Sequence, residues 1–463
     1  MTLIKSISGI RGTIGGQVGE NLTPIDAVKF ASAYGVWLKQ QREKENYKVV
    51  VGRDARISGK MMQNLVMNTL IGLGIDVVDV GLSTTPTVEV ATTLEHADGG
   101  IILTASHNPK QWNALKLLNE KGEFLDAVEG AKILEIAESD TMTFADVDSL
   151  GKITKNKAYI DLHIIEVLDL DLVNVKAIEN AKFRVVVDGV NSTGGIAIPL
   201  LLERLGVDVI KLYCEPNGHF PHNPEPLKEH LGDLSEAVKK HKADFGIVVD
   251  PDVDRLAFMD ENGDMFGEEY TLVACADYVL SITPGNTVSN MSSTRALRDV
   301  TEKHGGTYEA SAVGEVNVVK LMKKNKVVIG GEGNGGIIYP KAHYGRDALV
   351  GVALFLSLLA DKNISVSQLR KTYPNYFMSK KKIELTPGLD VDGILEAMEN
   401  RYQNEQLTTI DGVKIDFAES WVHLRKSNTE PIIRIYTEAK SQQEADTLAD
   451  KFIEEIGEIT NNL

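Results

Sequence analysis

Two segments of this chain are almost alike, and this repetition is the feature that most restricts its fold. Residues 73–80 (LGIDVVDV) and 205–212 (LGVDVIKL) each combine a glycine that can end a helix with an apolar stretch typical of a strand. Upstream of each, at residues 48–54 and 184–189, an apolar strand leads into a polar loop. A strand–helix–strand unit therefore occurs at least twice, and a third, more diverged copy is predicted over residues 287–308.

Repeated units of this kind predict an α/β fold, with mixed or parallel sheets covered by helices and with ligands bound in loops at the strand ends. The chain has 463 residues, which is too long for one ordinary core. Residues near the C-terminus lack the repeat and combine an alternating strand with a helix, so the last part is predicted to be a separate α+β domain. The predicted domains are 1–150, 151–256, 257–373 and 374–463.

Charge and composition argue against several classes of protein. The 66 acidic and 49 basic residues give a net charge of -17, which argues against a nucleic acid bound through its phosphates. Cys214 and Cys275 are too few for a disulfide framework, and the N-terminus lacks a signal pattern. No uninterrupted apolar run of about 18 residues occurs, so no membrane span is expected. The sequence therefore predicts a cytoplasmic protein.

A polar loop at residues 104–109 (TASHNP) follows an apolar run that is typical of a buried strand. The loop offers one nucleophile, Ser106, but a hydroxyl is a poor nucleophile unless a base, a metal or prior phosphorylation changes its chemistry. The alternative is an ordinary turn in which Asn and Ser hydrogen-bond to their own backbone before a proline. The loop by itself does not distinguish these interpretations.

Three alternating aspartates, Asp250, Asp252 and Asp254, follow the apolar run 245–249. In an extended conformation they would point to one side and repel one another unless a cation neutralises them, and carboxylate oxygens favour Mg²⁺ or Ca²⁺. An EF-hand loop has similar spacing, but it needs a glycine where Arg255 stands. A solvated acidic turn is the other alternative, and Arg255 argues against it because arginine can bind a phosphate with two donors.

A glycine-rich segment, residues 331–336 (GEGNGG), formally matches the dinucleotide pattern G-x-G-x-x-G after a predicted strand at 326–329. The dinucleotide pattern opens a helix, whereas the residues that follow here are typical of a strand and end at Pro340. A dinucleotide site is therefore not expected.

A donor-rich segment near the C-terminus combines one arginine with two hydroxyls and an amide, a set that can satisfy a phosphate dianion. The alternative is a capped helix start. Its residues are Arg425, Ser427, Asn428 and Thr429.

Four motifs, in this order along the chain, resemble those of the α-D-phosphohexomutases, which include phosphoglucomutase, phosphomannomutase and phosphoglucosamine mutase. They are residues 8–12 (SGIRG), the serine loop with Asn113 and Lys116, residues 250–255 (DPDVDR), and residues 425–431 (RKSNTEP) with Arg434. The segment 331–336 resembles the family's sugar-binding loop, in a form similar to that of a subgroup of phosphoglucosamine mutases.

The resemblance implies three α/β domains and a C-terminal domain around one cleft, and a phosphoserine mechanism. Phospho-Ser106 would donate to one sugar hydroxyl, the hexose bisphosphate would turn around, and Ser106 would take back the other phosphoryl group. One Mg²⁺ per chain would be held by Ser106, Asp250, Asp252 and Asp254.

The resemblance also implies roles for further residues. Lys116 would be the general acid/base, Arg11 and Arg255 would support the transferring group, and His107 would orient the loop. The sugar-binding residues would be Glu332, Gly333 and Asn334, and the distal phosphate would be bound by Arg425, Ser427, Asn428, Thr429 and Arg434. The main substrate hypothesis is glucosamine 6-phosphate to glucosamine 1-phosphate. Alternatives are phosphoglucomutase or phosphomannomutase activity, or a non-catalytic sugar-phosphate sensor; the chain is expected to be a monomer or homodimer.

One departure from the family pattern predicts a compensating group. Many relatives end the sugar loop in histidine, where this chain has Gly336. His343 and Arg346 follow within ten residues and are the candidates to replace it, with Arg346 preferred because it stays charged and offers two donors. The alternative is that both only solvate a turn.

Overall fold

The structure is a computed structural model that describes residues 2–6, 9–139, 141–384, 390–426 and 432–462. The chain forms two compact units. Unit 1 comprises Met1–Val279 and Asn334–Arg370, and unit 2 comprises Leu280–Gly333 and Lys371–Leu463. The four domain boundaries predicted from the sequence stay a prediction.

The first part of unit 1 is a seven-stranded mixed sheet with the order β1-β2-β6-β5-β3-β4-β7. Strand β3 pairs in parallel with β4 and β5, while β6 runs antiparallel to β5 and β2. Its elements are β1 Ile4–Ser6, β2 Gly9–Thr13, α1 Pro24–Gln41, β3 Tyr47–Arg53, α2 Gly59–Gly72, β4 Ile75–Leu82, α3 Thr85–Leu94, β5 Gly99–Leu103, β6 Trp112–Leu118, α4 Ala127–Glu138 and β7 Ile153–Lys155.

The second part of unit 1 is a four-stranded sheet with the order β11-β10-β8-β9, in which only β11 is antiparallel to its neighbour. Its elements are α5 Tyr159–Leu168, α6 Val175–Ala181, β8 Arg184–Asp188, α7 Gly194–Arg204, β9 Asp208–Leu212, α8 Gly232–His241, β10 Phe245–Val249 and β11 Leu256–Met259. Helix α9, Glu268–Ile282, follows and ends beyond the boundary of unit 1.

Unit 2 begins with a third strand–helix–strand region, in which β12 pairs in parallel with β13 and with β14. Its elements are β12 Thr287–Asn290, α10 Ala296–Lys303, β13 Tyr308–Ser311, α11 Glu315–Asn325 and β14 Ile329–Glu332. The chain then returns to unit 1 with β15 Gly336–Ile338, α12 Ala348–Lys362 and α13 Val366–Arg370.

The last part of unit 2 is an antiparallel five-stranded sheet with the order β16-β20-β19-β18-β17. Its core lies between this sheet and helices α14 and α15 and includes Ile394, Ile433 and Phe452, all fully buried. Its elements are β16 Phe377–Glu384, α14 Val391–Arg401, β17 Gln406–Thr408, β18 Val413–Asp416, β19 Trp421–Lys426, β20 Ile432–Ala439 and α15 Gln442–Asn462.

The predicted α/β fold with a C-terminal α+β part is confirmed, and the repeat explains it locally. Gly74 and Gly206 follow α2 and α7 with φ of 73° and 70°, values that glycine adopts without the steric cost of a β-carbon. The predicted strand over residues 326–329 is wrong: Lys326 ends α11 with a left-handed φ of 49°, and β14 begins only at Ile329. Among the described helices, none has both the length and the apolar character required to cross a membrane.

Candidate active site

Ser106 lies in unit 1, just past the fully buried strand β5, and adopts a left-handed backbone with φ of 48°. This conformation is costly for a residue with a β-carbon and is common at functional sites. The Ser106 amide donates to Thr104 Oγ1 at 3.0 Å, and its hydroxyl donates to Asp250 Oδ2 at 2.6 Å. The predicted nucleophile therefore points directly at the first of the three predicted aspartates.

Arg56, which was not among the residues predicted from the sequence, binds the backbone of the serine loop. Its buried guanidinium donates to the backbone oxygens of Ser106 (2.5 Å) and Asn108 (2.7 Å), and also to those of Pro109 (2.8 Å) and Trp112 (2.9 Å). Its Nε pairs with Asp54 Oδ2 at 3.0 Å. The five donors of an arginine thus fix a segment without regular structure. The available signal was Arg53-Asp54-Ala55-Arg56 directly after an apolar strand.

The three aspartates after β10 are fully buried and converge, but not for the predicted reason. The chain turns at Val253, whose φ is 66°, instead of continuing as an extended strand. Asp250 Oδ1 accepts the amides of Asp254 (3.2 Å) and Arg255 (3.1 Å), which closes the turn around the first carboxylate. One carboxylate oxygen from each aspartate lies within 4.8 Å of the others. The expected extended conformation is therefore wrong, whereas the expected convergence is confirmed.

Two buried oxygens of this triad make it a suitable site for a cation. Asp252 Oδ1 and Asp254 Oδ1 are buried and have no hydrogen-bond partner among the described residues. Buried acceptors without partners are costly, and hard oxygen ligands of this kind suit a divalent cation such as Mg²⁺. Burial, together with the charges of Asp252 and Asp254, raises the pKa of Asp250 well above its usual value. The side chains present therefore fit a bound metal ion.

Two basic side chains also contact the triad. Lys116 on β6 places Nζ 2.7 Å from Asp252 Oδ2 and 3.3 Å from Asp254 Oδ2. Burial alone would lower the pKa of Lys116, but the two carboxylates outweigh it and raise the pKa above the usual value. Arg346 places Nη2 2.7 Å from Asp254 Oδ2. Burial alone would raise the pKa of Asp254, but Arg346, Lys116 and Arg255 hold it below the usual value.

The other predicted residues of this centre lie nearby. Arg11 is on β2 opposite Ala114 of β6, and burial and the charge of Arg255 lower its pKa. Arg255 pairs with Glu225 Oε1 at 3.2 Å. His107 Nδ1 lies 3.4 Å from Ser106 Oγ, and burial and Arg255 hold its pKa well below the usual value, which keeps the ring neutral. Ser8, from the first motif, lies outside the described residues.

The glycine that stands in place of the family's histidine faces Arg346. A β-carbon at Gly336 would lie 2.3 Å from Arg346 Cδ, so no larger side chain fits there while the arginine keeps its position. Arg346 Nη1 also lies 3.4 Å from the Oδ1 of Asn334 in the predicted sugar loop. His343 is placed differently: its side chain is directed to Glu89 and Asp347, at 3.2 Å and 3.1 Å. Of the two predicted candidates, Arg346 is the one that contacts the aspartate triad, through Asp254.

The predicted sugar-binding residues Glu332 and Gly333 lie in unit 2, whereas Asn334 begins the second segment of unit 1. Glu332 is 4% exposed, and its Oε1 accepts from Asn290 Nδ2 at 2.8 Å and from the Gly314 amide at 3.1 Å. The Gly333 amide donates to Ser293 Oγ at 2.9 Å. These contacts fix the carboxylate and the glycine backbone.

Arg425 lies on β19 of unit 2, directly opposite Arg434 on β20. Its Nε is 3.2 Å from Asp411 Oδ2, and the two side chains are 18% and 23% exposed. Adjacent cations on paired strands form a suitable place for an anion. The other predicted phosphate ligands, Ser427, Asn428 and Thr429, lie outside the described residues.

Thr85 is a second contact that the sequence analysis missed. Its hydroxyl donates to Asp252 Oδ2 at 2.6 Å, and its amide donates to the Asp252 carbonyl at 2.8 Å. Thr85 is the first residue of α3, so this helix begins against the triad. A signal was present in the Thr84-Thr85-Pro86 sequence, which is typical of a helix start.

Comparisons with known proteins cover nearly the whole chain. The phosphoglucomutase/phosphomannomutase alpha/beta/alpha domains I, II and III match residues 3–143, 158–263 and 267–376, and the C-terminal domain of that family matches residues 380–455. The chain is 37% identical to the phosphoglucomutase/phosphomannomutase of Thermococcus kodakarensis, over 94% of this chain and 95% of that protein.

Two further relatives agree. The chain is 32% identical to a protein of Methanopyrus kandleri named "Probable phosphoglucosamine mutase", over 96% of each chain. A crystal structure of a phosphoglucomutase/phosphomannomutase family protein from Burkholderia thailandensis has 25% identity and a TM-score of 0.84, with 98% of this chain and 97% of that chain covered. The repeated fold, the serine–aspartate centre and these matches lead to one conclusion: the chain belongs to the phosphoglucomutase/phosphomannomutase family of α-D-phosphohexomutases.

Proposed function

We propose that this phosphohexomutase interconverts glucosamine 6-phosphate and glucosamine 1-phosphate through a phosphorylated Ser106. The observation that carries the proposal is the 2.6 Å contact between Ser106 Oγ and Asp250 Oδ2, inside a buried turn with two carboxylate oxygens that lack partners. Such a site matches the needs of phosphoryl transfer, which depends chiefly on positioning and on compensation of negative charge.

The first transfer exchanges one P–O bond for another. The bond between phosphorus and Ser106 Oγ breaks, a bond to a hexose hydroxyl oxygen forms, and the hydroxyl proton ends on Ser106 Oγ. Asp250 Oδ2 accepts a hydrogen bond from the resulting Ser106 hydroxyl, as it does in the structure. The resulting hexose bisphosphate turns around and returns its other phosphoryl group to Ser106 by the reverse exchange.

Charge compensation is the main task of the residues around Ser106. A Mg²⁺ ion held by Asp250, Asp252 and Asp254 would offset negative charge on the transferring group. Arg11 and Arg255 bring two further positive charges to the same centre, and His107, which is neutral, orients the loop.

Lys116 is the proposed general acid/base. Its ammonium group is held by Asp252 and Asp254, and these carboxylates are what raise its pKa. If the charges of Asp252 and Asp254 were neutralised, the pKa of Lys116 would fall toward the range in which a lysine exchanges a proton.

Recognition of the sugar and of the distal phosphate is assigned to other residues. Glu332 and the backbone of Gly333 and Asn334 would bind sugar hydroxyls. Arg425 and Arg434 supply two cations on adjacent strands, and a phosphate bridging them would relieve their mutual repulsion. Ser427, Asn428 and Thr429 would add neutral donors to this phosphate.

The choice of glucosamine phosphates is supported by the GEGNGG form of the sugar loop and by the name of the Methanopyrus kandleri relative. The second candidate is glucose or mannose phosphate, which the name of the Thermococcus kodakarensis relative favours. The oligomeric state, a monomer or a homodimer, and the cytoplasmic location stay predictions.

Coupled assays with glucosamine 6-phosphate, glucose 6-phosphate and mannose 6-phosphate, each with and without Mg²⁺ and hexose bisphosphate, test this proposal. We expect the highest kcat/KM for glucosamine 6-phosphate. A higher value for either of the other sugars would transfer the assignment to that sugar. Sugar-phosphate binding without turnover of any of the three would favour the sensor alternative.

A further inference from the structure

A second group of ionisable side chains is buried in unit 1, next to the aspartate triad but separate from it. It consists of Glu89 on α3, His163 on α5, and His343 and Asp347 before α12; we call it the histidine–carboxylate cluster. The side chains of Glu89, His163 and Asp347 are each 1% exposed, and that of His343 is 14% exposed. The proposed mechanism assigns no chemical step to any of the four.

The contacts within the cluster indicate where its protons lie. Both His163 Nε2 (2.9 Å) and His343 Nε2 (3.1 Å) donate to Asp347 Oδ2. His163 Nδ1 lies 2.9 Å from the Thr87 hydroxyl, so both ring nitrogens of His163 have partners. His343 Nδ1 lies 3.2 Å from Glu89 Oε2. His343 is thus the cation between two carboxylates.

The pKa of His343 agrees with this assignment. Burial would lower the pKa of His343, but hydrogen bonds to Asp347 and Glu89 outweigh it and raise the pKa to about 10. The Gly345 amide donates to the same Nδ1 at 3.1 Å, a bond that is given up when Nδ1 carries a proton. A buried carboxylate is far costlier to leave uncompensated than one backbone amide, so we assign the Nδ1 proton to the Glu89 contact.

Each carboxylate of the cluster belongs to an element that touches the triad. Glu89 lies one helical turn after Thr85, whose hydroxyl and amide both bind Asp252. Asp347 directly follows Arg346, which binds Asp254 Oδ2 at 2.7 Å. A shift of α3 would therefore move Thr85 relative to Asp252. A shift of the segment before α12 would move Arg346 relative to Asp254.

Asp347 also fixes the start of α12. Its Oδ1 accepts the amides of Leu349 (2.8 Å) and Val350 (3.3 Å), while the Ala348 amide donates to the carbonyl of Val253 in the aspartate turn at 3.2 Å. Helix α5, which carries His163, packs against both α3 and α12. The cluster thus joins the elements that hold the triad from two sides.

We propose that His343 is a positioning residue of the mutase: its imidazolium pairs with Glu89 and Asp347 and so fixes Thr85 and Arg346 against Asp252 and Asp254. This inference rests on the proposed role of the triad in holding Mg²⁺ and supporting phosphoryl transfer. It differs from the sequence-based prediction, in which His343 would replace a histidine at the sugar.

A metal ion at the cluster is the competing interpretation, because ligand atoms of His163, His343 and Asp347 lie within 4.8 Å of one another. Glu89, however, faces Nδ1 of His343, whereas Asp347 faces Nε2. An ion held through Nε2 would have three protein ligands and would leave Glu89 without its cation. Ion pairing through a protonated His343 uses all four side chains, so it accounts for the arrangement better.

The test compares the wild-type enzyme with His343→Gln, Glu89→Gln and the double variant Glu89→Gln/His343→Gln. His343→Gln removes the ion-pair partner that the buried carboxylates of Glu89 and Asp347 share. We expect kcat to fall about 10-fold or more, the KM for the sugar phosphate to stay within about twofold, and the Mg²⁺ concentration for half-maximal activity to rise several-fold. His241→Gln, an exposed histidine at the end of α8, is the matched control and should behave as wild type.

The double variant supplies the readout that distinguishes charge pairing from general damage. Because it removes one negative charge together with the positive one, it should have a higher Tm than His343→Gln, whereas its kcat should stay low because neither variant has the ion pairs that position Thr85 and Arg346. An equal or lower Tm in the double variant would overturn the charge-pairing assignment, and recovery of wild-type kcat there would overturn the positioning role. Unchanged kcat and Mg²⁺ dependence in His343→Gln would overturn the positioning role.

Two further measurements complete the test. A second, tightly bound transition-metal ion in the purified wild-type protein, lost in His343→Gln, would replace ion pairing with metal binding. The Tm comparison needs no substrate, so it still tests the ion pairing if the proposed function fails. That failure would appear separately, as a wild-type enzyme without Mg²⁺-dependent mutase activity.

Discussion

Polar and charged side chains are more deeply buried in the serine–aspartate centre of unit 1, which consists of Ser106 and the three aspartates, than in the ion pair of Arg425 with Asp411 in unit 2. Ser106 is 7% exposed, and the three aspartates are fully buried. Arg425 and its partner Asp411 remain 18% and 23% exposed. Charges interact more strongly in the dry centre than at the partly hydrated pair, because water screens the latter.

This difference suggests different tasks. A buried centre, in which carboxylates, cations and a hydroxyl are fixed by one another, suits a reacting group whose charge changes during the reaction. A partly hydrated arginine such as Arg425 suits a phosphate that, in the proposed mechanism, must be bound and released again as the intermediate turns around. Loss of a group from the centre should therefore reduce kcat, whereas loss of Arg425 should act mainly on binding.

The largest effect is expected for Ser106→Ala. Without the hydroxyl no phosphoenzyme can form, so activity should fall by at least about 10,000-fold. Intact-mass analysis should find one phosphoryl group on the wild-type enzyme and none on the variant. Ser139→Ala, a serine at the end of α4, should keep both the activity and the phosphoryl group. A fully active Ser106→Ala enzyme would refute the mechanism.

The next effect concerns the aspartate triad. We expect Asp250→Asn, Asp252→Asn and Asp254→Asn each to lose about 100-fold or more in kcat, because each change removes a charge and a proposed metal ligand. EDTA should inhibit the wild-type enzyme, and Mg²⁺ should restore it. The exposed Asp148→Asn is the control. Turnover that survives chelation would favour the acidic-turn alternative.

Arg56→Lys tests whether the hydrogen bonds of Arg56 to the serine loop matter as much for kcat as the side chains around Ser106. Lysine keeps the charge beside Asp54 but cannot reach four separate carbonyl groups, so the serine loop should loosen. We expect kcat to fall about 10- to 100-fold with a smaller change in KM. Arg42→Lys, at an exposed ion pair with Glu120, should have no effect. Wild-type kcat in Arg56→Lys would show that the loop holds its geometry without the guanidinium.

The smallest effect is expected in unit 2. Arg425→Ala should raise the KM for the sugar phosphate and leave Ser106 phosphorylation intact, because the proposed role of this arginine is to bind the phosphate that is not being transferred. A lost charge-assisted bond of more than about 1.5 kcal/mol corresponds to about a 10-fold loss in kcat/KM. Lys426→Ala, the neighbouring residue with a 52% exposed side chain, is the control. If both variants match the wild type, the segment is only structural.

The sequence by itself determined the fold class and the identity of the central residues. The repeated strand–glycine patterns around Gly74 and Gly206 reflect local backbone requirements, and these can be read from neighbouring residues alone. Ser106 and the three aspartates were identifiable as candidates because their loops follow apolar strands, and the resemblance to the α-D-phosphohexomutase motifs then distinguished them from ordinary turns.

The tertiary structure decided how these residues meet. The aspartates converge because Val253 turns the chain, a backbone choice that alternation of residues does not reveal. Arg56 and Thr85 lie far along the chain from the groups they bind, and nothing local marks those partners. Arg346 and His343 are only three residues apart, yet one contacts Asp254 and the other is directed to Glu89 and Asp347. Side-chain partners of this kind depend on packing between distant segments, which a local pattern cannot specify.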